Sequence, residues 1–238
     1  MLFRSLLPFC LDFLSGVVTV SGKVDREKQD SHTLTITASD SGDPKQSSSV
    51  QLLIKVTDVN DNAPLFNTSS LQGAVLENSP AGTSVMRVMA TDADVGENAQ
   101  LMFNFTSKVY ADLFAIDSTS GEITALKSLD REKQDLYKLK ISVSDHGDPR
   151  LSSSADVTIT VLDVDDNCPK FVPAEYNVTI SENLPFNQSI VQVTATDADV
   201  KDNEKMLYAI WQGNEGGAFT IDRQGMVIYD KIEIIHVL

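Results

Sequence analysis

Tyr137-Lys138-Leu139-Lys140-Ile141-Ser142-Val143-Ser144 alternates apolar and polar residues with a period of two, and Ala155, Val157, Ile159 and Val161 alternate in the same way with Asp156, Thr158 and Thr160. Alternation of this kind belongs to strands that bury one face and wet the other. Gly147-Asp148-Pro149 between the two runs is a turn signal. Upstream, Leu101, Phe103 and Phe105 give a third run, and Gly73–Val75, Ser84–Ala90, Phe114–Ile116 and Glu122–Leu126 supply shorter ones. Seven short antiparallel strands with no helical period predict an all-β fold, a Greek-key β-sandwich. The Cys, Trp, Cys spacing of an immunoglobulin domain is missing, since the one tryptophan is Trp211.

The second run ends in Asp163-Val164-Asp165-Asp166-Asn167-Cys168-Pro169, and the same pattern stands 105 residues earlier as Asp58-Val59-Asn60-Asp61-Asn62-Ala63-Pro64. Other motifs keep that spacing. Asp25-Arg26-Glu27 returns as Asp130-Arg131-Glu132, Asp92-Ala93-Asp94 as Asp197-Ala198-Asp199, Glu77-Asn78 as Glu182-Asn183, and Gly42-Asp43-Pro44 as Gly147-Asp148-Pro149. A period this long is that of a whole small domain, so tandem beads are expected in place of a solenoid. The boundaries read as a partial repeat over 1–63, a complete repeat over 64–168 and a second partial repeat over 169–238.

Of the 34 acidic residues 24 are aspartates, poor strand formers that gather in short motifs between the apolar runs, which favours liganding over general solubility. The net charge of −15 argues against nucleic acid and anionic membrane surfaces as partners. No stretch reaches the roughly 18 apolar residues of a spanning helix, so membrane attachment is expected only through segments absent from this chain. Met1–Leu7 is weighed as a signal peptide and set below the reading that the chain starts within a repeat, because Phe9 and Asp12 fall in register with Phe114 and Asp117. Cys10 and Cys168 lie in different beads and are expected as free thiols.

The acidic motifs fall at strand ends and at the joints between beads. Carboxylates, asparagine side chains and carbonyls are hard oxygen ligands of the kind Ca²⁺ takes, six to eight at a time, and zinc-type thiolate and imidazole clusters are absent from the sequence. At the second joint Glu77, Asp130, Glu132, Asp165, Asp166, Asp197 and Asp199 would converge. Two carboxylates about 5 Å apart repel by roughly 3 kcal/mol at an effective dielectric near 20, so such a cluster calls for cations.

Taken in order, Glu-Asn, Asp-Ala-Asp, Ile-Asp-x-x-Ser-Gly, Asp-Arg-Glu, Asp-x-Gly-Asp-Pro and Asp-x-Asn-Asp-Asn-x-Pro resemble the extracellular repeats of cadherins over nearly the whole chain, most like the Fat/Dachsous type. The resemblance implies Ca²⁺ as cofactor, three ions to a joint. It assigns to the first joint Asp25, Glu27, Asn60, Asp61, the Asn62 carbonyl, Asp92, Asp94, the Asn98 carbonyl and Asp145. To the second it assigns Glu77, Asp130, Glu132, Asp165, Asp166, the Asn167 carbonyl, Asp197 and Asp199. Asp165 stands where the pattern has Asn, keeping an oxygen and adding charge. Asp40 and Glu182 belong to joints outside the chain and are expected to hold no ion.

The implied work is mechanical: Ca²⁺ stiffens the joints of an extracellular array at the plasma membrane, whose partner is another cadherin, homophilic or heterophilic, with no nucleic acid and no small-molecule substrate. A secreted fragment competing with the full-length parent is an alternative, and complementary partial repeats would favour head-to-tail self-association. Paired carboxylates also suit a glycosidase, but a catalytic dyad does not come in identical tandem copies, so no enzyme is expected. An EF-hand from Asp92 fails because its twelfth position is Phe103. His32, His146 and His236 are read as surface or loop residues, and the sequons at Asn67, Asn104, Asn177 and Asn187 suit a secreted chain.

Overall fold

A computed structural model of the chain describes residues 8–200 and 205–230. The elements are almost all strands. The first copy contributes β1 (Phe9–Leu11), β2 (Val18–Val20), β3 (Ser31–Ser39) and β4 (Ser47–Lys55). The middle copy contributes β5 (Leu65–Phe66), β6 (Ser70–Leu76), β7 (Thr83–Arg87), β8 (Ala90–Thr91), β9 (Met102–Phe105), β10 (Phe114–Ile116), β11 (Glu122–Ala125), β12 (Leu136–Ser144) and β13 (Ser152–Leu162). The third contributes β14 (Lys170–Phe171), β15 (Gln188–Gln192), β16 (Ala195–Thr196), β17 (Phe219–Ile221) and β18 (Met226–Tyr229). A 3₁₀ turn spans Gly96–Ala99.

The middle copy forms a four-stranded sheet in the order β6-β13-β12-β9 and a three-stranded sheet in the order β10-β11-β7, the non-sequential neighbours of a β-sandwich. The alternating runs quoted above are its two longest strands. The run over Ser84–Ala90 divides: β7 ends at Arg87, Val88 is buried and donates to the Gly121 carbonyl at 2.9 Å, and β8 pairs with β5. A change of pairing partner breaks what the hydrophobic pattern shows as one strand.

Packing divides the chain into two compact units. One holds the residues up to Gln72, Met86–Thr124 and Lys138–Thr158; the other holds Gly73–Val85, Ala125–Tyr137 and the residues from Ile159 onward. In the first unit β9 pairs antiparallel with β12, Phe105 opposite Ile141 and Phe103 opposite Val143, and Val88, Phe103, Phe114, Ile123, Ile141, Val143, Ala155 and Val157 form the core. In the second unit Val75, Ala125, Leu129, Tyr137, Ile159 and Val161 are buried. Each buried Val, Leu, Ile or Phe among them stabilises by about 1.5–3 kcal/mol.

Packing details repeat with the sequence. Phe66 tilts against Phe103 with ring centroids 6.3 Å apart in the first unit, and their counterparts Phe171 and Tyr208 do so at 6.2 Å in the second. Gly121 and Gly225 have φ of +71° and +82°, and a Cβ on either would collide with the carbonyl of Val88 or Val193, so both turns demand glycine. Residues 176–180, counterparts of β6, form no strand; β6 owes its ladder to β13, and no strand of that register lies among the described residues of the third copy.

His32 departs from the expected surface position. It lies in β3, 7% exposed, edge-on to Phe9 with centroids 5.0 Å apart, because its place in the alternation is the inward one that Tyr137 takes one repeat later. His146 stands half-buried in the turn after β12, and His236 lies outside the described residues, as does the Met1–Leu7 segment. Cys10 and Cys168 are both free and exposed.

Candidate metal centre

The first linker, Asp58–Pro64, lies in the first unit with the motifs that face it. Asp94, 4% exposed, accepts the Asn62 backbone N–H at 3.2 Å and the Asn62 amide at 2.8 Å, and donates its own N–H to Asp92 Oδ1 at 2.9 Å. Asp145 is fully buried. It accepts the N–H groups of Gly147 at 3.0 Å and Leu151 at 3.1 Å, and the Asn60 amide at 3.2 Å. The Asn60 amide also donates to the Pro149 carbonyl at 2.7 Å. This close approach is possible because position 147 is glycine: a Cβ there would overlap Asn60 and stand 2.7 Å from Asn98 Oδ1.

Three buried acceptors in this cluster have no hydrogen-bond donor: Asp58 Oδ1, which faces Arg26 Nε as an ion pair, and Asn60 Oδ1 and Asp92 Oδ2. Burial pushes Asp92 above the ordinary carboxylate value, and the charges of Asp94 and Asp145 push the same way. Oxygens of Glu27, Asp58 and Asp94 converge to within 4.8 Å of one another. Asp25 is not among those three; its carboxylate takes the Lys28 N–H at 3.2 Å and ammonium at 2.7 Å. Asp61 is exposed and accepts the Asn62 amide at 2.8 Å, while Asn98 uses its amide on Asp58 at 2.9 Å.

The second linker, Asp163–Pro169, lies in the second unit. Glu77, 2% exposed, accepts the Arg131 N–H at 2.8 Å and the Val164 N–H at 2.7 Å, which fixes the linker's start. Asp199, fully buried, accepts the N–H groups of Asp166 at 3.2 Å and Asn167 at 2.9 Å and the Asn167 amide at 3.0 Å. Asp199 donates its N–H to Asp197 Oδ1 at 3.0 Å. Burial pushes Asp199 up, but the hydrogen bonds from Asn167 and Asp166 outweigh it, and its carboxyl lies below the usual range.

Two three-carboxylate groups form here, Glu77 with Asp130 and Glu132, and Glu132 with Asp163 and Asp199, each with oxygens within 4.8 Å. Burial, then the charge of Glu77, raises Glu132 despite the neighbouring Arg131. Asp130 also takes the Lys133 N–H at 3.0 Å and ammonium at 2.8 Å. Asp165 is exposed and lines a hollow of about 360 Å³ with Asn167, Asp197 and Lys205, and Asp166 pairs with the Asn78 amide.

Asp58 and Asp163 were missing from the ligand sets assigned above, although each opens its linker motif. Both sit in a converging carboxylate group and both meet an arginine, Arg26 or Arg131. Their recurrence at the repeat spacing was the signal that could have found them. The donor set at both linkers is entirely oxygen, and the unpartnered Asn60 and Asp92 oxygens ask for a positive partner, so the residues fit a hard divalent cation and not a thiolate-seeking one.

The cadherin domain family matches residues 7–57, 71–162 and 176–234. The chain belongs to the cadherin family. Its repeats are those of adhesion proteins, not of enzymes. Among curated relatives, cadherin EGF LAG seven-pass G-type receptor 3 of Mus musculus is 40% identical over 220 residues, covering 92% of this chain and 7% of that protein. Cadherin-23 of Rattus norvegicus is 43% identical over 220 residues, covering 90% and 7%. The chain thus spans less than a tenth of the length of these relatives. Among solved structures, the protocadherin gammaB7 EC3-6 cis-dimer superposes with a TM-score of 0.85 at 28% identity, covering 96% of this chain and 57% of that one. Mouse cadherin-23 EC22-24 gives 0.72 at 34% identity, covering 94% and 72%. No helix among the described residues is long and apolar enough to cross a membrane.

Proposed function

We propose that this cadherin chain is a calcium-binding stretch of an extracellular adhesion array, with a partial repeat over 1–63, a complete one over 64–168 and a partial one over 169–238. The observation that carries the reading is the pair of buried, donorless oxygens, Asn60 Oδ1 and Asp92 Oδ2, in a pocket of carboxylates. Around the first linker Asp25, Glu27, Asn60, Asp61, Asn62, Asp92, Asp94, Asn98 and Asp145 would hold Ca²⁺, joined by Asp58. Around the second Glu77, Asp130, Glu132, Asp165, Asp166, Asn167, Asp197 and Asp199 would do so, joined by Asp163. When bound, Ca²⁺ supplies the positive charge that cancels carboxylate repulsion and draws ligands of both neighbouring repeats onto the linker.

The chain's own residues prepare for this. Asp94 and Asp199 hold the linker amides of Asn62 and Asn167, so the linker's course is set by the loop of the following repeat. Asp145 holds the turn at Gly147, which presents Asn60 to the cluster.

The parent is read as a long, many-repeat cadherin, a class in which the Fat/Dachsous type is one form; matches confined to 6–8% of the relatives' lengths support the class. The partner is another cadherin, homophilic or heterophilic, met outside the cell, and membrane anchorage would come from segments outside these residues. Calorimetric titration with Ca²⁺ tests the reading: several ions should bind with Kd of about 10⁻⁴ to 10⁻³ M. Absence of saturable binding in the millimolar range would overturn it.

A further inference from the structure

Arg26 and Arg131 occupy the centre of the two Asp-Arg-Glu motifs, and the ligand sets above give neither a task. An arginine carries five donors in a rigid fork, enough to hold several oxygens at once. The structure uses that capacity on equivalent partners at both linkers, with Glu77 Oε1 in addition 3.9 Å from Arg131 Nε. Arg26 Nη2 donates to the Ala93 carbonyl at 2.6 Å and lies 2.5 Å from Glu27 Oε1, while its Nε pairs with Asp58. Arg131 Nη2 donates to the Ala198 carbonyl at 2.6 Å and pairs with Glu132, while its Nε lies 2.5 Å from Asp163 Oδ1, an ion pair and not an aligned hydrogen bond. The side chains are only 14% and 13% exposed. Ala93 and Ala198 are the middle residues of the Asp-Ala-Asp loops, in which Asp94 and Asp199 hold the linker amides while Asp92 and Asp197 accept the N–H groups of Asp94 and Asp199.

We propose that Arg26 and Arg131 are positioning residues, each a metal-independent strap that ties its own Asp-Arg-Glu turn and the linker's first aspartate to the Asp-Ala-Asp loop of the next repeat. The strap holds Asp92 and Asp94, or Asp197 and Asp199, in the ligand-presenting arrangement before any ion arrives. Lysine cannot substitute, because one compact ammonium does not span the carbonyl and the linker carboxylate. The sign of the effect on Ca²⁺ separates this role from a plain electrostatic one. A fixed cation beside the site repels Ca²⁺, so deleting charge alone would tighten binding; deleting a positioning residue behind the ligands weakens metal binding, roughly tenfold or more.

The calcium arm rests on the function proposed above, whereas the strap itself does not, and the experiment separates them. Hydrogen exchange is followed in chelator on the full chain, wild type against Arg131→Met and Arg131→Lys. Exchange at the amides of Asp166, Asn167 and Asp199 should rise several-fold in both variants, with those of Asn62 and Asp94 unchanged; Arg26→Met should reverse the pattern. Protection across β12 and β13 reports whether the variant is folded, and if Arg131→Met is not, the Arg131→Lys result decides. Wild-type exchange at those amides in the folded variant would overturn the strap. In calcium titration Arg131→Met should weaken binding at the second linker roughly tenfold, and unchanged or tighter affinity would overturn the positioning role. A wild-type chain that binds no Ca²⁺ would sink the function proposed above and leave the exchange result to decide the strap.

Discussion

The two linkers carry nearly the same seven residues and reach different electrostatic states. Around the first, Asn60 and Asp92 each leave a buried oxygen without a donor, and Asp145 lies fully buried behind them. Around the second, buried Glu77 takes two backbone N–H groups and Asp165 faces outward into a hollow. The counterpart of the Asp145–Pro149 turn falls beyond residue 238 and that of Glu77 before residue 1, so the two linkers show one motif with different neighbours, and a linker motif does not define its own site. What the neighbouring turns bring decides whether its oxygens are already satisfied by the protein or wait for a cation.

The contrast breaks most severely at Glu77. Glu77→Ala strands the half-buried Arg131 and Val164 N–H groups, and denaturant unfolding should show a loss of about 1–3 kcal/mol, with calcium affinity falling at the second linker and holding at the first. Next comes the exchange Asn60→Asp, which gives the first linker the residue of the second. A carboxylate then replaces the amide that bonds Asp145, so stability measured in chelator should fall on the order of 2–3 kcal/mol while the stabilisation gained from Ca²⁺ grows. Gly147→Ala drives a methyl into Asn60 and should cost about 1–3 kcal/mol, confined to the first linker, as hydrogen exchange at Asn62 would show. The smallest effect is expected at Lys28 and Lys133, whose exposed pairs with Asp25 and Asp130 are screened by solvent. Replacing either with Ala should leave Tm within experimental scatter. Their hydrogen bonds depress Asp25 and Asp130, so whatever these pairs contribute is present above the ordinary carboxylate pKa and is lost as pH falls through the depressed value.

Local pattern was enough for the long strands: the alternation over Tyr137–Val143 and Ala155–Val161 falls within β12 and β13. It was not enough where a residue's role depends on a partner distant in sequence. Ser84–Ala90 reads as one run, yet β7 and β8 pair with different strands. His32 reads as polar, yet its inward place in β3 sets it against Phe9. The acidic motifs were visible by repetition, and Asp58 and Asp163 with them. Their engagement with Arg26 and Arg131 was not, because those contacts join residues separated by 32 positions in each copy, with nothing in either local pattern to pair them.

The central claim is that positive charge supplied from outside the chain completes these linkers. Limited proteolysis at Asn60-Asp61 and Asp165-Asp166, with Ca²⁺ against chelator, tests it most directly. With Ca²⁺ at ten times its Kd, cleavage through the open form should slow about tenfold at both bonds. Equal rates in the two conditions would contradict the account.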